Sequence, residues 1–125
     1  MKLLDEMKNC KGVLTICVRQ NGRVIEQWQD NNLIVDAGRI RMAELLGGTK
    51  ASQHVTHVGI GSGSAPADPG DINLTDRVLV PVKTVVIDGK TVHFDFFVPT
   101  DVGNGTAIRE FGLFCADGTM FSRRV

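Results

Sequence analysis

The spacing of apolar positions changes period along the chain, and the changes divide it into segments. Residues 1–11 form a lead-in with Leu3, Leu4 and Met7 at helical spacing. Residues 12–30, opening "GVLTICVRQNGRVIEQWQ", hold two β-rich runs on either side of Asn21-Gly22. That dipeptide suits a type I′ turn, where both central residues need positive φ, so a hairpin is predicted. Over 36–47 the period lengthens to that of a helix. Ala37, Ile40, Ala43 and Leu46 recur on one side, Met42 and Leu45 widen the stripe, and Arg39, Arg41 and Glu44 fall on the other. Asp36 is placed to cap the N-terminus and Gly47-Gly48 to stop the helix. The polar side reads as a solvated face with an Arg41–Glu44 pair worth a few tenths of a kcal/mol.

The body, 55–125, is β-rich. "HVTHVGIGSGSAPADPGDINLTD" begins as a strand and dissolves into a long loop of Gly, Ser, Ala, Pro and Asp. Loops of this length in compact domains are usually functional or partly disordered. In "RVLVPVKTVVIDGKTVHFDFFVP", Val92, Phe94, Phe96 and Val98 alternate with His93, Asp95 and Phe97. A two-residue Asp88-Gly89 turn sets Lys83 opposite Phe94. A three-residue turn through Lys90 sets Lys83 opposite Asp95 and Val82 opposite Phe96, and satisfies both faces better. The closing stretch "AIREFGLFCADGTMFSRRV" fits a hairpin with a three-residue loop, Ala116-Asp117-Gly118, and Gly118 at the left-handed position. That register pairs Cys115 with Thr119, Phe114 with Met120, Leu113 with Phe121 and Glu110 with Arg124. The order of elements predicts a single domain, 1–125. It is mainly β, an antiparallel β-sandwich or small barrel with one α-helix packed against it.

Composition narrows the function classes. The chain has 125 residues, enough to bury roughly two-thirds of its unfolded surface. Its formal net charge is zero, which removes the simplest argument for nucleic-acid binding and leaves little self-repulsion to oppose assembly. Neither a membrane-spanning apolar run nor a signal-peptide pattern stands out. Three cysteines, Cys10, Cys17 and Cys115, do not look like a disulfide framework, although a bond between copies stays open.

Candidate chemistry is sparse. Arg109 and Glu110 are neighbours in a strand, so they point to opposite faces and cannot form one catalytic dyad. "GIGSGSA" looks like a phosphate loop, but Pro66 and Pro69 follow where a helix would have to open, and no Gly-Lys-Ser/Thr is present. Its glycines read instead as a strand end that permits close backbone approach. His54, His57 and His93 with Cys10 and Cys17 lack the spacing of a metal site. Gly61-Ser62-Gly63 lacks the strand-turn-helix of a hydrolase elbow. The expectation is a chain that is not an enzyme and uses no cofactor or metal.

What remains is surface. In the closing hairpin Phe111, Leu113, Cys115 and Phe121 share one face, and Phe114 and Met120 the other. Both faces are apolar and both must be covered, and one helix covers one face. That points to oligomerisation.

"HVGIGSGSAPADPGDINLTD", followed one hairpin later by "GTAIREFGLFCADGTMFSRR", resembles the tail-collar-fibre type of domain in tailed bacteriophages and prophages. Such domains carry a G-x-G-x-x-x-P stretch ahead of Leu-Thr, then R-E-[hydrophobic]-G-L-F and a D-G turn. "NLIVDAGRIRMAELLGG" also looks like the helix before that pattern. The resemblance covers most of 31–125, and the N-terminal hairpin matches it least well.

It implies a non-enzymatic virion structural protein of the tail, collar or baseplate. Such a protein would be assembled in the host bacterial cytoplasm as a symmetric, ring-like homo-oligomer. Its partners would be copies of itself and other phage tail or neck proteins, with no nucleic acid and no membrane. Gly59, Gly61, Pro66 and Leu74-Thr75 would shape the long loop. Arg109, Glu110, Gly112, Asp117 and Gly118 would shape the closing hairpin; the faces and pairing of that hairpin, apart from the resemblance, add Phe111, Phe114, Met120 and Arg124 as structural or subunit-interface candidates. Fibres continue into a shaft and tip whereas this sequence stops at Val125, so a short connector is expected. The alternative is a small ligand- or carbohydrate-binding β-sandwich, for which a single Trp and no Tyr is poor sugar-stacking equipment.

Overall fold

The computed structural model describes residues 12–20, 23–98 and 107–125; over 12–30 it is the backbone pairing that is described. The lead-in 1–11 and the turn residues Asn21-Gly22 lie outside the described residues. In chain order the elements are β1 (Gly12–Gln20), β2 (Arg23–Ile34), α1 (Asp36–Leu46), β3 (Val55–Gly61), β4 (Val78–Pro81), β5 (Thr84–Asp88), β6 (Thr91–Asp95), β7 (Glu110–Cys115) and β8 (Met120–Arg124). Six strands form one sheet in the order β1, β2, β8, β7, β3, β4, and β5 and β6 form a second, two-stranded sheet. Every pairing is antiparallel. Among the described residues the chain is therefore mainly β with one helix against it, as the order of elements predicts.

The first hairpin pairs Gln20 with Arg23 and runs to Gly12 opposite Asn32. Its second strand ends at Ile34 and not near residue 30, because Leu33 and Ile34 pair with Arg123 and Ser122 of β8. Those two residues attach the ribbon to the rest of the sheet.

Helix α1 begins and packs differently from its sequence pattern. Its N-cap is Val35, in extended conformation with no side-chain cap; Asp36 is the first helical residue. The Asp36 N–H is bound by the Pro69 carbonyl at 2.8 Å, so the loop does the capping, and the Asp36 carboxylate complements the helix dipole. The glycine stop is as expected. Gly48 takes φ of +78°, its N–H bonds Leu45 O at 3.2 Å, and Thr49 N–H bonds Glu44 O at 3.0 Å, the two bonds of a Schellman motif.

The buried face is turned away from the predicted stripe, of which Ala37 alone stays packed on the core. Ile40 is 61% exposed and Leu46 78%, while Gly38 and Arg41 are buried. Steric access decides this: a Cβ on Gly38 would lie 2.1 Å from the Phe121 carbonyl oxygen. The helix backbone presses on β8 along the only side slim enough to allow it. Beside that contact a small core forms from Val35, Leu74, Phe114 and Met120, with Ala37 packed on it.

The closing hairpin keeps its predicted turn and loses part of its predicted register. Cys115 N–H bonds Thr119 O at 2.8 Å, Gly118 has φ of +89°, and Phe114 faces Met120. A bulge then leaves Phe121 unpaired, so Leu113 faces Ser122, Gly112 faces Arg123 and Phe111 faces Arg124. The expected Leu113–Phe121 and Glu110–Arg124 pairs do not form. The freed Phe121 carbonyl accepts the Val35 N–H at 3.2 Å, so the bulge serves the junction into the helix.

In the middle hairpin neither expected register forms. Thr84 faces Asp95, Val86 faces His93 and Asp88 faces Thr91, which leaves Gly89-Lys90 as the turn. Gly89 has φ of +57° at the first central position, where a type II′ turn wants glycine. The shift brings Thr84 Oγ1 to donate to Asp95 Oδ2 at 2.7 Å.

Candidate functional site, a charge-clasped loop on the closing hairpin

The loop after β3 is held down by the first residue of β7 and by the penultimate residue of β8. Glu110 is 1% exposed and Arg123 5%. Arg123 Nε donates to Glu110 Oε1 at 2.9 Å, and Glu110 Oε2 accepts the N–H groups of Gly63 at 2.6 Å and Thr75 at 2.9 Å. Arg123 reaches further into the loop. Its Nη1 donates to Asp71 Oδ2 at 2.7 Å and to Pro66 O at 3.2 Å, and its Nη2 to Ala65 O at 2.9 Å. Two buried charges are tolerable here because each is paired and most of its remaining hydrogen-bonding capacity is used.

This arrangement gives the glycines of "GIGSGSA" their reason. A Cβ on Gly61 would lie 2.7 Å from both Glu110 Oε2 and Thr75 O. One on Gly59 would strike the Phe114 ring at 2.4 Å. In a phosphate loop, backbone N–H groups would point at an anion. Here the Gly63 N–H already points at a carboxylate of the same chain. The strand-end reading holds, and the glycines admit Glu110 and Phe114.

A second clasp joins the helix to the closing turn. Arg41 Nη2 donates to Asp117 Oδ2 at 2.7 Å and Nη1 to Gln53 O at 2.9 Å, while Nε meets Glu44 Oε1 at 3.4 Å. Asp117 Oδ1 in turn accepts the Thr119 N–H at 3.0 Å. The Arg41–Glu44 pair is present, but Arg41 is buried and Asp117 is its nearest partner, so the expected solvated face is corrected.

The titration directions follow from these bonds. The Arg41 hydrogen bond, supported by Thr119, holds the Asp117 carboxyl well below the usual carboxylate range. Burial works to raise Asp71, but hydrogen bonds from Asp68 N–H and Arg123 outweigh it and lower the group. Burial pushes the Cys115 thiol up, so this free cysteine is a poor nucleophile.

The structure unites most of the residues singled out in the sequence. Gly61, Pro66 and Glu110 belong to the clasp, Phe114 and Met120 form the core beside it, and Gly59 and Gly112 lie against the Phe114 ring. Gly112 lies under the Phe114 ring, where a Cβ would come within 3.1 Å of it, and Arg77 stacks over that ring at 5.0 Å. Arg109 contributes its backbone N–H to Gly61 O at 2.9 Å and leaves its side chain exposed. Asp117 and Gly118 belong to the second clasp. Phe111 is on the opposite face of the sheet, its ring 6.5 Å from Phe96. Arg124 is not in the clasp; its guanidinium bonds the Val125 carbonyl. Sequence reasoning missed Arg123, Asp71, Gly38 and the burial of Arg41. The adjacent Arg123-Arg124 was a usable signal, since a one-residue bulge exchanges their roles.

Between the Phe111 face of the sheet and β6 lies a cavity of about 210 Å³, lined among others by Asn32, Val58, Phe94, Phe96, Phe111 and Leu113. Asn32 Oδ1 is buried with no hydrogen-bond partner among the described residues. No group of three or more His, Cys, Asp or Glu is placed to hold a metal among the described residues, and α1 is not long and apolar enough to cross a membrane. No protein-family model, curated protein or solved structure matches the chain.

Proposed function

We propose that this chain is a non-enzymatic structural component of a tailed-phage virion, in the tail, collar or baseplate, that assembles with copies of itself into a symmetric oligomer. The observation that carries the reading is the exposure of the β5–β6 arm. Val85, Val86, Ile87 and Val92 are all exposed on a two-stranded sheet. Such a hairpin is marginal in water on its own, so these side chains call for a covering surface. The clasped loop adds support. The "GIGSGSA" and R-E-F-G-L-F motifs that resemble tail-collar-fibre domains meet at one place, where the Gly63 N–H and the Glu110 carboxylate fix a loop.

Assembly is tested by the solution mass of the purified protein across a concentration series. A defined multiple of the 13.6 kDa chain is expected, and a monomer at every concentration overturns the self-assembly reading. Placement is tested by mass spectrometry of tailed particles purified from the source bacterium. The chain should be present at a fixed ratio to the other particle proteins.

A second reading, a small ligand-binding domain, rests on the cavity and on the unpartnered Asn32 Oδ1. At about 210 Å³ the cavity is smaller than the ~300–1,000 Å³ of sites that hold drug-sized ligands. It favours an ion, water or a very small solute at most.

A further inference from the structure

We infer that two copies of this chain join through the outer edge of β5, pairing antiparallel about a two-fold axis at Val86. The inference rests on the reading that the chain self-assembles, and it supplies the surface.

Among the described residues β5 pairs only with β6, so its outer edge carries unpaired backbone N–H and C=O groups. Exposed edges are normally protected by charges, proline or a bulge. Between Thr84 and Ile87 this edge has none of them: the run is Thr-Val-Val-Ile, paired without irregularity to β6.

The arm has distinct faces. Cross-strand partners share a face, so Val85, Ile87, Val92 and Phe94 lie together, and Thr84, Val86, Asp88, Thr91, His93 and Asp95 lie on the other. The apolar face is half covered. Phe94 is partly buried near the cavity, whereas Ile87 is 75% exposed.

Self-pairing about Val86 satisfies every level at once. It sets Val86 against Val86, Val85 against Ile87 and Thr84 against Asp88 of the second copy. Apolar residues meet apolar residues, a hydroxyl meets a carboxylate, and no like charges are opposed. Side-chain parity is kept, so the two apolar faces fuse into one. The product is a four-stranded sheet, β6-β5-β5-β6, with one continuous hydrophobic face, in place of two marginal hairpins. The corresponding pairing through the edge of β6 would set His93 against His93 and is less complementary. A two-fold contact is isologous: each copy offers the same patch. The strand contact alone falls short of the ~800 Å² per partner of a standard interface, so a Kd in the micromolar range is expected unless other contacts join it.

The test compares the solution mass of the wild type with that of Val86→Lys and Val86→Thr. Lysine sets two ammonium groups against each other across the axis. It should raise the Kd of the pairing at least tenfold and halve the mass at a concentration where the wild type is paired, whereas threonine should leave the mass unchanged. In a second arm, Val86→Cys is made with Cys10→Ser and Cys17→Ser. Directly opposed strand residues have Cα atoms ~4.5–5.5 Å apart, within disulfide reach, so mild oxidation should cross-link two chains through residue 86. An oligomeric wild type that keeps its mass in Val86→Lys and does not cross-link at residue 86 overturns the β5 contact while the assembly reading stands. A wild type that is monomeric at all concentrations overturns both.

Discussion

Beneath the loop, Glu110 and Arg123 are buried side by side; on the β5–β6 arm, Ile87 and Val86 stand in the open. The two regions invert the usual placement of polar and apolar groups, and the inversion separates two tasks. In the clasped region hydrophobic burial is limited, with Val35, Leu74, Phe114 and Met120 as its cluster. A long loop of Gly, Pro and Asp offers that cluster only Leu74, and it is otherwise held by directed bonds to two charges. On the arm the backbone is regular, and what is left over is surface. The clasp spends its specificity inside the chain and the arm offers its own outward.

The sharpest way to break this comparison is to remove the carboxylate. In Glu110→Ala, Arg123 loses its buried partner and the Gly63 and Thr75 N–H groups lose their acceptor. Breaking a buried ion pair from one side typically costs about 3–5 kcal/mol. Thermal or urea unfolding should show a loss of that size, and proteolysis should become fast between Ser62 and Asp76. Glu110→Gln should recover part of it, because the amide oxygen still accepts a hydrogen bond. A loss below about 1 kcal/mol would mean that the loop is held by something other than this carboxylate.

Next in size is Gly38→Ala. In an exposed helix interior this change stabilises by up to about 1 kcal/mol. Here the added methyl would lie 2.1 Å from the Phe121 carbonyl oxygen, backbone that cannot rotate away. Overpacking of this kind costs about 1–3 kcal/mol, so the sign of the effect reports whether the helix docks through its glycine. A stabilised variant would restore the helix face that the sequence pattern predicts, through Ile40 and Leu46.

That helix shows why the sequence was legible in some places and not in others. The turns were legible because glycine acts locally: Gly48 and Gly118 take the positive φ their positions imply, and the first hairpin pairs Gln20 with Arg23. The mainly β class followed from alternation. The helix face was not legible, since the period of Ala37, Ile40, Ala43 and Leu46 says that an apolar stripe exists and not that this chain buries it. Docking was decided by close backbone approach at Gly38 and by Arg41 reaching Asp117, 76 positions away. Register failed for a related reason. The bulge at Phe121 shifts pairing and is matched by a tertiary partner, the Val35 N–H, whereas the middle hairpin shifts to put Gly89 at the first central turn position. The clasp was half legible: Glu110 was assigned an arginine, and the bulge gave it Arg123 in place of Arg124.

The smallest effect sharpens the comparison within the clasped region itself, since the Arg41–Asp117 pair is more open than Arg123–Glu110. Hydrogen bonding from Arg41 depresses the Asp117 carboxyl below its ordinary 3.8. A depressed carboxylate contributes stability that is fully present above the unfolded value, and that contribution is lost as pH falls through the folded value, because the unfolded chain takes up the proton first. Asp117→Asn removes this contribution at every pH. The variant should melt below the wild type at pH 7, and the gap should close as pH falls from about 4 toward 2. Some acid sensitivity should remain in the variant, because Asp71 is depressed by Asp68 and Arg123 in the other clasp. Melting curves across that range decide it. Parallel lines for the two proteins would show that Asp117 titrates alike folded and unfolded, and that Arg41 holds the turn through Gln53 and Thr119 alone.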